Sequence, residues 1–103
     1  MQHVSNGFQV FMKESGPVGT AYMEAVAKIS EASALDSKTA ELAYISVLSA
    51  VHMPGGLPFH VISAKKLGAS REEIKSAVLV GLPAVGLAVI EALPIALTSY
   101  DEN

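Results

Sequence analysis

The chain reads as an all-α protein, on three observations. Apolar residues recur at steps of three and four over most of its length, the spacing of a helix's buried stripe. No segment alternates with period two over a useful length, and the turn pairs that close β-hairpins are missing. Helix start and stop signals then divide the chain into about six helices.

The first signals are weak. Val4, Phe8, Phe11 and Met12 alternate with polar groups over residues 2–14, and Gly7 interrupts them. Ser15-Gly16-Pro17 stops this helix and restarts the next. From Val18 to about Ser33, Tyr22, Met23, Val26, Ala27 and Ile29 form a second stripe, which reads as packing surface rather than a cofactor box. Asp36 suits an N-cap because its carboxylate accepts from the exposed N–H groups of a first turn. The third helix runs from there to about His52. Glu41, Tyr44, Leu48 and His52 lie along one line of it, and Tyr44 reads as core. Pro54-Gly55-Gly56 ends it, and Pro58 suits the first turn of a fourth helix carrying His60, Val61, Ile62 and Ala64. Lys65 and Lys66 favour that helix's C-terminal pole, and Gly68 stops it. Ser70 and Glu73 make a capping box ahead of Ile74, Ala77, Val78 and Leu79, predicting a fifth helix to about Pro83. A sixth is expected from about Gly86 to Ser99, kinked at Pro94, with residues 100–103 frayed.

At 103 residues the chain makes one domain, residues 1–103. Half its residues are hydrophobic and 17% are charged. A mean hydropathy of +0.40 exceeds what one small core absorbs. Surplus apolar surface marks interfaces, so a homo-oligomer is expected. A net charge of -3 leaves no basic footprint for nucleic acid. The absence of Cys excludes disulfides, thiolate metal sites and thiol mechanisms, and it fits a reducing, cytoplasmic setting. The opening MQHVSNGFQV lacks the cationic start and apolar run of a secretion signal. Between Ser76 and Tyr100 the only charge is Glu91, and length alone would allow a membrane span. Gly81, Pro83, Gly86 and Pro94 divide that run, so two buried helices at a subunit interface are expected instead, with no membrane partner.

Glu41 and His60 are among the few groups in the apolar region around the 52–56 break able to move protons near neutral pH. His52, His60 and Glu41 do not have metal-ligand spacing, and neither a metal nor another cofactor is expected.

The order LDSKTAEL, an apolar helix, a tight break, a His, KLGASREEI and an apolar tail covers about residues 35–92. In this the chain resembles the carboxymuconolactone decarboxylase / alkyl hydroperoxidase D-like superfamily. The resemblance implies the alkyl hydroperoxidase D-like helical fold and assembly as homotrimers or homohexamers. The peroxidase branch carries Cys-x-x-Cys, a His four residues after the second Cys, and a Glu on the preceding helix. Matched residue by residue, Met53 and Gly56 stand at the two cysteine positions, His60 at the histidine and Glu41 at the glutamate. Without a thiolate, peroxide reduction by thiol–disulfide exchange cannot occur, so a peroxiredoxin label would rest on family membership alone.

The decarboxylase branch lacks the cysteines and keeps the acid and the histidine. The resemblance therefore implies decarboxylation or isomerisation of a small organic lactone acid, with Glu41 and His60 as the catalytic pair. Lys38, Arg71 and the N–H groups of the Gly55–Phe59 helix start are the candidates to hold a substrate carboxylate. The alternative is an oligomeric binding or scaffold member without chemistry, with Met53 plugging the place of the thiol. At about 1.5 Å per residue, Glu41 lies on the order of 15 Å along its helix from His52. A simple hairpin would then keep it from His60, and a steep helix crossing or a subunit interface is expected to join the two.

Overall fold

The computed structural model describes residues 3–103, and among the described residues every regular element is helical. The α-helices are α1 (Asn6–Glu14), α2 (Pro17–Ala32), α3 (Ser37–Ala50), α4 (Leu57–Lys66), α5 (Arg71–Leu79), α6 (Leu82–Val85) and α7 (Leu93–Asp101). Short 3-10 turns occupy Pro54–Gly56 and Gly86–Ala92.

The apolar stripes of α3, α4, α5 and α7 meet in one core. Ile45, Leu57, Val61, Ile74, Val78 and Ala96 are wholly buried there. Each buried Val, Leu or Ile contributes about 1.5–3 kcal/mol relative to an exposed one. Caps then fix where these helices begin. Asp36 Oδ1 accepts from the Thr39 N–H at 2.9 Å, which holds the Asp36 carboxyl below the usual carboxylate range. Ser70 Oγ accepts from Glu73 N–H at 3.0 Å while Glu73 Oε1 accepts from Ser70 N–H at 2.9 Å, the reciprocal box expected from the sequence. That second bond, with Lys38 beside it, holds the Glu73 carboxyl low. Replacing Ser70 by Ala should lower stability by about 1 kcal/mol, read from a shifted urea midpoint at unchanged slope.

The C-terminal third departs from expectation in three places. α5 ends at Leu79, because Pro83 belongs to the first turn of the short α6. Pro94 does not kink a long sixth helix. It lies in the first turn of α7, where its missing N–H has no intrahelical partner to lose. The tail does not fray at Tyr100 and Asp101. Arg71 Nε and Nη2 donate to the two Asp101 carboxylate oxygens at 2.8 and 3.0 Å. The guanidinium holds that carboxyl low, and the carboxylate raises the arginine in turn. Tyr100 Oη donates to the Ala69 carbonyl at 3.0 Å, and Lys65 Nζ donates to the Tyr100 carbonyl at 2.7 Å from above the tyrosine ring. Lys65 thus serves the end of α7 as well as the pole of its own helix.

Arg71–Asp101 is long and apolar enough to cross a membrane by length and composition. Here it is divided into α5, α6, a 3-10 turn and α7. α5, the 3-10 turn and α7 fold back to place Ile74, Ala77, Val78, Ala92 and Ala96 in the common core.

Helices α1 and α2 form an arm outside that core. α1 buries no residue and α2 buries only Gly19. Phe11 and Tyr22 meet edge-to-face at 5.7 Å, joining the two helices to each other. The arm leaves the chain less compact than its length predicts. Its radius of gyration is 14.0 Å, against about 13 Å for a compact domain of this size. Its accessible surface is 6532 Å², against about 5,500 Å² for a monomer of this mass.

Candidate functional site

The site is set by how α3 ends and α4 begins. α3 closes with His52 in the left-handed region, at φ +58°, and Met53 N–H reaches back to the Leu48 carbonyl at 3.0 Å. This is the six-to-one bond of a Schellman turn, in which glycine usually takes the place His52 holds. Replacing His52 by Gly should therefore raise stability by about 0.5–1 kcal/mol in chemical denaturation, the relief of left-handed strain exceeding glycine's extra freedom in the unfolded chain.

The turn Pro54–Gly56 then runs back alongside α3. A Cβ at Gly56 would stand 3.1 and 3.3 Å from the two Leu48 methyl carbons, so glycine lets α4 start hard against α3. One turn further on, the His60 ring lies 4.3 Å from the Tyr44 ring, centroid to centroid. Gly56 faces Leu48 and His60 faces Tyr44, so α4 passes α3 in the opposite direction. Glu41 lies one turn before Tyr44, and its side chain spans the remaining gap.

His60 Nδ1 and Glu41 Oε2 are 2.8 Å apart within one chain. The expected need for a steep crossing or a second subunit is thereby corrected. The separation of about 15 Å runs from the end of α3, whereas the break returns α4 to the level of Leu48 before the helix starts. An ionised carboxylate only accepts, so Nδ1 carries the hydrogen and Nε2 is left for other chemistry. The two side chains are 24% and 22% exposed. Tyr44 and Phe59 flank the imidazole, Phe59 at 5.2 Å in edge-on geometry, and are 45% and 46% exposed.

Three sequence expectations change here. Tyr44 is not core: it is a half-exposed ring lying against the His60 imidazole of α4. Met53, at 59% exposure, plugs nothing within the chain. Lys38 and Arg71 are committed elsewhere, Lys38 to Glu73 at 2.9 Å and Arg71 to Asp101. Sequence reasoning had no place for Tyr44 and Phe59 beside the pair, although Tyr44 stands three residues after Glu41 and Phe59 adjoins His60. Among the described residues no group of three His, Asp or Glu side chains could hold a metal ion. A groove of about 450 Å³ runs between α3 and α5, and a cleft of about 240 Å³ opens beside His52 and Glu91. Neither is lined by Glu41 or His60.

Fold and site together define a small helical protein that presents a carboxylate-held imidazole beside a glycine-rich break, with no sulfur nucleophile. The sequence profile of the Carboxymuconolactone decarboxylase family matches residues 17–98, and the chain belongs to that family. The match takes in α2 as well as the 35–92 stretch that carries the resemblance. No curated protein matches the chain. A solved structure, the apo form of a carboxymuconolactone decarboxylase family protein from Legionella pneumophila, is similar at a TM-score of 0.78 and 27% identity. The similarity covers 93% of this chain and 86% of that one.

Proposed function

We propose that this protein is a homo-oligomeric acid/base enzyme acting on a small unsaturated lactone acid, with His60 as the proton carrier and Glu41 as its positioning partner. The carrying observation is the 2.8 Å contact between His60 Nδ1 and Glu41 Oε2. It orients the ring and leaves Nε2 to the substrate, as a carboxylate does in other imidazole catalysts. In decarboxylation the bond to the substrate carboxyl breaks and carbon dioxide leaves. The bonding pair shifts into the adjacent unsaturated system. Nε2–H of the imidazolium then delivers a proton to the far carbon, and the neutral ring recovers a proton from water. Isomerisation uses the same ring, removing a proton at one carbon and returning it at another.

A second reading keeps the fold and the assembly without the chemistry. The commitment of Lys38 and Arg71 to Glu73 and Asp101 favours it, because no carboxylate-binding cation then stands at His60 from those two residues. A screen of small lactones and dicarboxylic acids by thermal shift, followed by carbon dioxide release from any hit, separates the two readings. Binding and turnover that both depend on His60 support the enzyme, whereas a hit bound equally by His60→Ala and never turned over supports the binding protein.

A further inference from the structure

We infer that α2 of a second copy of this chain lays its apolar stripe across the Glu41–His60 face and closes the site. This rests on the proposed site being the functional one. Three observations carry it.

The first is the stripe. Val18, Tyr22, Val26 and Ile29 follow at steps of four, four and three, so they share one side of α2, and all four are exposed. The second is the receiving face. Tyr44 and Phe59 flank the imidazole, Val47 and Val51 continue the Tyr44 side of α3, and all four are exposed, so the imidazole lies in an apolar patch rather than an enclosed pocket. Proton delivery to a carbanion-like carbon and expulsion of carbon dioxide are favoured where bulk water is excluded, which this face does not achieve alone. The third is the area. The chain exposes about 1,000 Å² more than a compact monomer of its mass, close to the roughly 800 Å² each partner buries in a standard interface.

The arm is also rooted at the edge of this face. A Cβ on Gly55 would stand 3.2 Å from Ser5 Cβ, so the start of α1 lies against the break that begins α4. From that root α1 and α2 turn outward and bury nothing on their own chain beyond Gly19. A closed assembly in which each copy's α2 covers another copy's site buries stripe and face together.

The cysteine-free chain allows a direct test. Ile29→Cys and Phe59→Cys are made as separate single variants, both at exposed positions. One carries a size tag, and the two are mixed and treated with a short bis-maleimide. Lys66→Cys, exposed at the far end of α4, replaces Phe59→Cys in the control mixture. The expected result is a tagged–untagged product from Ile29→Cys with Phe59→Cys, about tenfold more abundant than the control, since a docked pair raises effective concentration. Equal crosslinking in both mixtures, a product only between Ile29→Cys chains, or sedimentation of the unmodified protein as a monomer at the crosslinking concentration would overturn the inference. The crosslink reads geometry alone. Repeating it in the His60→Ala background keeps failure of the docking distinct from failure of the catalytic reading.

Discussion

His60→Ala is expected to lose about 10²- to 10⁴-fold in kcat on whatever lactone acid the screen identifies, with the fold intact. The loss follows from removal of the group whose Nδ1 is held by Glu41, leaving Nε2 for the substrate. The fold should survive because the pair is partly solvent-exposed, and such pairs contribute about 0–1 kcal/mol. Glu41→Gln tests the positioning role separately. It keeps the shape of the side chain and removes the charge that fixes the ring's tautomer. Its kcat should fall by less than that of His60→Ala, with KM little changed, because the proton carrier stays and only its orientation is loosened. A merely structural Glu41 would instead lose activity only in step with its melting temperature. Stopped carbon dioxide assays with melting curves on both variants make the check. Wild-type turnover in His60→Ala would end the catalytic reading.

Much of the fold was legible because its punctuation is local. Asp36, Ser70 with Glu73, and Gly68 act within one helical turn, and each stands where the sequence put it. The C-terminal third was less legible. Pro83 and Pro94 can end one helix or open the next, and only the packing of α5 against α7 decides between them. The tail was misread for a similar reason: its partners Ala69, Lys65 and Arg71 are some thirty residues away in sequence.

The site was legible in its members and not in its geometry. Glu41 and His60 stood out as proton-bearing groups in an apolar stretch, and the resemblance matched them to the family's acid and histidine. What sequence could not give was the path of residues 51–56. A left-handed His52 followed by a turn that doubles back alters where α4 begins relative to α3, and no periodicity records that. Nor could it show that Lys38 and Arg71 are bound to Glu73 and Asp101, since an ion pair depends on which helix ends meet.

The largest stability effect is expected from Leu57→Ala. Leu57 opens α4, its side chain is wholly buried, and it packs in the cluster with Ile45, Leu48 and Val61. Truncation removes apolar contacts and leaves a cavity, at about 2–5 kcal/mol. A domain of this size holds only about 5–15 kcal/mol in total. At about 4–8 °C per kcal/mol for small domains, the melting temperature should fall by on the order of 10 °C or more. Ile74→Ala, equally buried but on α5, should cost a similar amount. The two differ in what else they loosen. Leu57 pins the first turn of α4, three residues before His60, so its loss should also weaken the Glu41–His60 contact in chains that remain folded. Leu57→Ala should then lose turnover well below its melting temperature and exchange its α4 amides faster, while Ile74→Ala should keep both until it melts. If the two variants lose activity in step with stability alone, α4 is not held to α3 through Leu57, and the anchoring of the imidazole must be sought in the Gly56–Leu48 contact instead.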